Sequence, residues 1–392
     1  MSKQKTHLDA DVPAKPASKR VMNLAHFLLQ QARRQGSDIA LVWGEKSWSW
    51  SELNTRVDAM ALALKKLGVK KGDKVLVQSK NCNQLFESMF ICFRLGAVWV
   101  PANFRQTPDE IVKMGKTSHA SIFICQQDFP EHAKAVAEQL PKIKQIIIGG
   151  SKTDKDYESL VSANLGPEFK AADVEYDDPC WFFFTSGTTG APKAAVLTHG
   201  QMAFVITNHL CDLMPAMTPQ DDASLVVAPL SHGAGIHQLA QVARGVKSII
   251  LSGEKFDPAK AWRLVEKWGV SNMFTVPSIV SLLVEDEAVD RFNHSSLKYV
   301  IYAGAPMYRK HQKFALEKLG KVLVQYFGLG EVTGNITILP PYVHDVSDDK
   351  QKIGSCGYER AGMQVSIQND KGEELNTGQT GEICVCGPAV FF

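Results

Sequence analysis

The sequence predicts an α/β fold: two mostly parallel sheets sandwiched by helices in αβαβα layers, followed by a small β-barrel-like subdomain. Three observations predict it. Short apolar runs alternate with stretches of helical periodicity over residues 21–150, the pattern of a parallel sheet with helices on both faces. The same alternation resumes after a polar, weakly patterned connection at 151–178. From about Gly354 the texture changes to short alternating runs and glycine turns, "GMQVSIQNDKGEELNTGQTGEICVCG", which reads as hairpins.

Residues 1–20, rich in Lys, Ala and Pro, read as a flexible tail. In "SWSELNTRVDAMALALKKLG", Ser49 and Glu52 form a capping box ahead of Leu53, Val57, Met60, Leu64 and Leu67 at helical spacing, and Gly68 stops the helix. "KVLVQS" is a strand, "NQLFESMFICFRLG" a helix closed by Gly96, and "AVWVP" a further strand. Thr107-Pro108-Asp109-Glu110 is a second capping box, with Pro at the first helical position. "ASIFIC" and "KQIIIGG" complete a first α/β subdomain, 21–178. The second, 179–353, offers strands "SLVVAP", "SIILSG", "SNMFTVP", "LKYVIYAG" and "KVLVQYFG", and the small β subdomain takes 354–392.

Bulk properties exclude several classes. At 392 residues the chain exceeds one small core, and 45% hydrophobic with 21% charged residues is ordinary globular composition. A net charge of +2 makes no case for a nucleic-acid partner or an acidic membrane. No secretory signal opens the sequence, and no apolar run is long enough to span a bilayer. The 8 cysteines are scattered, and Cys384 and Cys386 form a close pair without a second cluster, so reduced thiols of a cytoplasmic protein are expected rather than a metal site.

The informative stretch is "FFFTSGTTGAPKAAVLTHG", residues 182–200. A loop this poor in side-chain bulk lets a ligand approach the backbone. Hydroxyls of Thr185, Ser186, Thr188 and Thr189, exposed N–H groups at Gly187 and Gly190, and the charge of Lys193 suit a phosphate. It is not a Walker A loop. Ala194 stands where a metal-ligating hydroxyl is required, and the following "AAVLTH" is strand-like rather than helical. The loop is therefore expected to join two antiparallel strands.

"FTSGTTGAPKAAVLTH" resembles the signature loop of the AMP-forming adenylating enzymes, the acyl- and aryl-CoA synthetases, peptide-synthetase adenylation domains and firefly luciferase, with only Ala194 departing from the usual T-S-G-T-T-G-x-P-K-G. Further segments resemble the family in order: "VVAPLSHGAGIH", "YAGAP", "QYFGLGE" and "TGQTGEICVCGPAVF". The resemblance runs from about residue 21 to 392. It implies that a carboxylic acid attacks the α-phosphate of MgATP, giving an acyl-adenylate and pyrophosphate, and that a thiol, usually of coenzyme A, then takes the acyl group. Thr185, Glu331 and His232 are the implied catalytic residues, with Glu331 the Mg²⁺ ligand. Ser186, Gly187, Thr188, Thr189, Gly190 and Lys193 would complete the phosphate site. Gly304, Ala305, Pro306, Phe327 and Gly328 would shape the adenine slot, and His232, Gly233, Gly235, Val276, Pro277 and Ala303 the acyl pocket.

Gly330 departs from the family, which usually has Thr against the α-phosphate. Water or Thr333 must substitute, or the α-phosphate is held less tightly. Small residues at Gly233, Ala234 and Gly235 suggest space in the tunnel, and no charge lies within these pocket segments, though Arg244 follows. A fatty or aromatic acid is therefore expected over a dicarboxylate. The family carries a C-terminal lid of on the order of 100 residues. The chain stops at "GPAVFF" ahead of it, so the large domain alone, a weak catalyst, is expected. Transfer to a carrier-protein thiol and a non-catalytic acyl- or nucleotide-binding protein remain alternatives, and a homodimer is compatible.

Overall fold

The computed structural model describes residues 21–150, 155–185, 193–253 and 255–391. Two sheets dominate. The larger has nine strands, in the order Tyr358–Glu359, Thr337–Leu339, Leu323–Phe327, Tyr299–Tyr302, Asn272–Thr275, Ala223–Val226, Lys247–Ile250, Ile39–Trp43 and Lys46–Ser49. Its central strands, from Leu323–Phe327 to Ile39–Trp43, pair in parallel. The smaller has six: Lys144–Ile148, Ala120–Gln126, Lys74–Gln78, Val98–Pro101, Pro179–Thr185 and Lys193–Thr198, parallel except for the last pair.

Strand alternation assigns each side chain to a layer. In the smaller sheet Val75, Val77, Trp99, Ile122 and Ile124 join one core, while their neighbours Leu76, Val98, Val100 and Phe123 join another under the outer helices. In the larger sheet Val226, Ile250, Phe274, Ile301 and Val324 enter the shared middle core, and Leu225, Ile249, Met273, Val300 and Leu323 enter the outer one. The helices Trp50–Lys66, Asn83–Leu95 and Gly233–Arg244 fill the middle between the sheets. The result is the layered αβαβα arrangement expected from the sequence. Trp99 and Trp181, register partners on adjacent strands of the smaller sheet, meet edge-to-face in the middle core, with centroids 4.5 Å apart.

Local signals hold where they were read. Ser49–Glu52 and Thr107–Glu110 both form complete capping boxes, and Gly96 closes its helix in the left-handed region at φ 65°. The barrel-like ending is corrected. Gln364–Gln368 and Glu382–Cys386 form a two-stranded antiparallel ladder, and Tyr358–Glu359 pairs with the large sheet instead. Two strands cannot close a barrel. The 151–178 connection carries the helix Tyr157–Ser162, capped by Asp156, and buried Tyr157 donates to Glu87 at 2.9 Å. Six residues show too little periodicity for such a helix to be read beforehand.

The sheets do not follow chain order. The early hairpin Ile39–Trp43 with Lys46–Ser49 lies in the large sheet beside Lys247–Ile250, while the hairpin Pro179–Thr185 with Lys193–Thr198 completes the small one. Among the described residues no helix is long and apolar enough to cross a membrane.

Candidate active site

A cleft of about 980 Å³ opens where the two sheets present the carboxyl ends of their strands to each other. Asn103, Arg105 and Gln106 reach it from the loop after Val98–Pro101, and Phe183 and Phe184 from the end of Pro179–Thr185. Opposite stand Phe274 and Val276, Ala303 and Gly304, and Tyr326 and Gly328, each pair at the end of a strand of the large sheet. Ligands of open α/β sheets bind at this end because loops there are free to vary while the strands hold them in place.

Four chain segments expected to act together do converge. His232, Gly233, Val276, Ala303, Gly304, Gly328 and Gly330 all line the cleft, and Glu331 follows directly in the turn Gly330–Val332. Gly235, Pro277, Ala305, Pro306, Phe327 and Glu331 are not among its lining residues. Ala305 and Pro306 are exposed beside it. Thr185 ends its strand paired with Lys193, which is exposed, so the flanking strands are antiparallel as expected. Ser186, Gly187, Thr188, Thr189 and Gly190 lie outside the described residues.

His232 precedes the helix Gly233–Arg244 and is fixed from two sides. Its Nε2 lies 3.1 Å from the Asn103 amide, and its ring packs against Phe183, with centroids 5.6 Å apart. Asn81 clamps the preceding segment, accepting from the Leu230 N–H at 2.9 Å and donating to the Ala228 carbonyl at 2.8 Å. Burial pulls the imidazole pKa below its ordinary value, against a backbone hydrogen bond at Ser231 that raises it. A neutral imidazole, its nitrogens engaged by Asn103 and the Ser231 backbone, thus faces the cleft.

The turn carrying Gly330 and Glu331 is tightly built. A Cβ at Gly328 would lie 2.2 Å from the backbone of Gly334, so glycine is required for that approach. The Phe391 N–H donates to the Glu331 carbonyl at 2.7 Å. Thr333 adopts φ 54°, lines the cleft, and its hydroxyl accepts from Gln201 at 2.9 Å, leaving its own proton to donate. Among the described residues no three His, Cys, Asp or Glu side chains gather at one point. A Mg²⁺ here would be held by Glu331 with phosphate oxygens and water, the usual way this ion accompanies a nucleotide.

Sequence reasoning missed much of the cleft wall: Asn103, Phe183, Phe274, Ile236, Tyr326 and the rim charges Arg105, Glu110 and Lys113. Their shared signal is position, just beyond or near the carboxyl end of a parallel strand or in the first turns of the following helix. Arg244, at the far end of its helix, does not line the cleft. His199 is fully buried, its Nδ1 accepting from the Leu24 N–H at 3.3 Å, consistent with a packing role.

Residues 28–391 match the family described as AMP-binding enzyme. The chain is 31% identical over 374 residues to feruloyl-CoA synthase of Amycolatopsis sp, covering 95% of this chain and 71% of that protein. It is 25% identical over 362 residues to the fatty acid–[acyl-carrier-protein] ligase ScoC of Streptomyces coeruleorubidus, covering 91% and 67%. In fold it is similar to the anthranilate CoA ligase AuaEII in complex with anthranoyl-AMP, with a TM-score of 0.85 at 18% identity, covering 95% of this chain and 70% of that one.

Proposed function

The chain belongs to the AMP-binding enzyme family, and from that premise we propose that it activates an aromatic or fatty monocarboxylic acid as the acyl-adenylate and passes the acyl group to coenzyme A. The observation that carries the reading is the convergence of His232, Gly304, Gly328 and Gly330 on one cleft, with Glu331 beside it. These residues come from separate segments that the parallel strands bring to one edge of the sheet.

In the first step a carboxylate oxygen bonds to the α-phosphorus and the bond to pyrophosphate breaks, the pyrophosphate leaving with the electron pair. The protein's part is to hold two anions together and to stabilise charge on the α-phosphate. Hydroxyls and N–H groups of residues 185–190, with Lys193, would cradle the phosphates. Neutral His232, held by Asn103, would wall the carboxylate's end of the cleft. Thr333, with a free hydroxyl proton directed by Gln201, is the nearest replacement for a hydroxyl at Gly330. A bound Mg²⁺ supplies positive charge to the phosphates, and Glu331 is the residue that would hold it. In the second step the thiol gives its proton to solvent, its sulfur bonds to the acyl carbon, and the acyl–phosphate bond breaks with AMP taking the electron pair.

The walls argue for the acid class. Phe183, Phe184, Ile236, Phe274, Val276 and Tyr326 are apolar or aromatic, whereas Arg105, Glu110 and Lys113 are exposed at the rim. Aromatic rings favour a flat acyl group, in keeping with the activity named for the Amycolatopsis relative. A carrier-protein thiol as acceptor is the second reading, favoured by the similarity to the ScoC ligase. The test is acid-dependent exchange of pyrophosphate into ATP across aromatic, fatty and dicarboxylic acids. Exchange with an aromatic or fatty acid, reduced on the order of a hundredfold in Glu331→Gln, is expected. Absence of exchange with every acid would leave a non-catalytic binding protein.

A further inference from the structure

The turn that carries Glu331 is held by a side chain far from it in sequence. Gln201 sits in the first turn of the helix His199–Asn208, where it forms a capping box with Thr198. The Gln201 Oε1 accepts from the Thr198 N–H at 3.3 Å. Its Nε2 donates twice, to the Thr333 hydroxyl at 2.9 Å and to the Ala389 carbonyl at 2.7 Å. A backbone N–H can only donate and a carbonyl can only accept, so these partners fix which end of the amide is nitrogen. Gln201 is buried, and both of its amide protons are used.

The capping box needs only the oxygen, and glutamate serves as readily as glutamine at this position of a box. The two bonds of the nitrogen reach across the fold instead, to residues 132 and 188 positions away. Both lead to Glu331. Thr333 is β-branched yet adopts φ 54°, a left-handed conformation that such residues take only where their surroundings impose it. Ala389 is buried and opens the short segment whose Phe391 N–H donates to the Glu331 carbonyl at 2.7 Å. One amide therefore holds the turn Gly330–Val332 through the residue that follows it and through the segment laid against it. The strand Lys193–Thr198 runs directly into Gln201. The same residue thus joins the chain that leaves the expected phosphate loop to the turn that bears the expected metal ligand.

We propose that Gln201 is a positioning residue for the metal–nucleotide complex. Its amide nitrogen holds the turn so that the Glu331 carboxylate is aimed at the phosphates and the Thr333 hydroxyl keeps its proton for them. The inference deepens the ligase reading and rests on it. Gln201 is not among the residues that line the cleft, and it acts through Thr333 and Ala389. An oxygen in place of Nε2 would reverse both bonds. It would take the Thr333 proton away from the cleft and would set its lone pairs against those of the Ala389 carbonyl. Partners that orient a metal ligand from behind commonly change metal affinity by about tenfold or more.

Calorimetric titration of the full chain with ATP, in excess Mg²⁺ and in EDTA, tests this. The wild-type protein is expected to bind ATP about tenfold more tightly with Mg²⁺ than without it. That gain should fall to near unity in Gln201→Glu, as in Glu331→Gln. Thr198→Ala removes the other half of the capping box and leaves Nε2 in place, so it should lower the urea midpoint and keep the gain. A gain retained in Gln201→Glu, or lost equally in Thr198→Ala, overturns the inference and leaves the ligase reading standing. A wild-type protein that binds no ATP, or gains nothing from Mg²⁺, overturns it together with the metal role of Glu331. Should a buried carboxylate at this position prevent folding, Gln201→Met and Thr333→Val delete the same hydrogen bond from its two ends. Both are expected to lose the gain, and retention in both overturns the inference.

Discussion

Gly235 shows how little room a single side chain has at this site. A Cβ there would lie 2.2 Å from the Leu230 carbonyl oxygen and 2.8 Å from the Trp181 ring. Gly233 is similar, 2.6 Å from Phe274. In the sequence these glycines read as space for an acyl chain, since a glycine that admits a ligand and one that admits a neighbouring backbone look alike. The structure uses Gly235 for packing beside His232, whose carbonyl accepts from the Gly235 N–H at 2.8 Å. Gly235→Ala should therefore destabilise the fold by about 1–3 kcal/mol through overpacking, read as a lower denaturant midpoint with unchanged slope. An unchanged midpoint would mean that the turn relaxes freely. His232, Glu331 and Gly330 were legible because short local motifs carry them. Asn103 was not, because its role depends on a partner 129 positions away.

At the scale of elements, the capping boxes were legible and the edge pieces were not, for the same physical reason. A box is closed within four neighbouring positions, so its atoms are all in one short stretch of sequence. The Thr107 hydroxyl accepts from the Glu110 N–H, while the Thr107 N–H and hydroxyl donate to the Glu110 carboxylate at 2.7 and 2.9 Å. Those bonds hold that carboxyl below its ordinary pKa. This cap starts the helix Pro108–Ser118 beside the cleft rim. Thr107→Ala should lower stability by about 1 kcal/mol, measured by urea unfolding, and Thr107→Ser should restore most of it. By contrast, the strands Thr337–Leu339 and Tyr358–Glu359 are too short to show a period, and only pairing with Leu323–Phe327 and with each other defines them. The barrel expectation failed at the same place, where Tyr358–Glu359 was taken by the large sheet.

For the whole molecule, the layered architecture was legible because core strands and amphipathic helices carry their periodicity locally. The exchange of hairpins between sheets was not, since nothing in Ile39–Trp43 names its neighbour Lys247–Ile250. Global packing also sets the response to acid. Burial holds His199, His237 and His344 at pKa values of about 4, and His209 well below its ordinary value. Between pH 6.5 and 4 the unfolded chain binds these protons and the folded chain does not, so stability rises with pH in that window and falls as pH drops through it. Each histidine contributes a slope of about 1.4 kcal/mol per pH unit. Urea unfolding at pH 6.5 and 5.0 should show a loss of at least about 2 kcal/mol, and a flat profile would mean that these rings are accessible to protons in the folded state. The most direct measurement of the central claim is a crystal structure of this chain grown with AMP and an aromatic acid. The account predicts the nucleotide phosphate between Thr185 and the Gly330–Glu331 turn, the carboxylate beside His232, and the ring of the acid against Phe274 and Tyr326. Nucleotide and acid bound in separate places, or both outside this cleft, would contradict it.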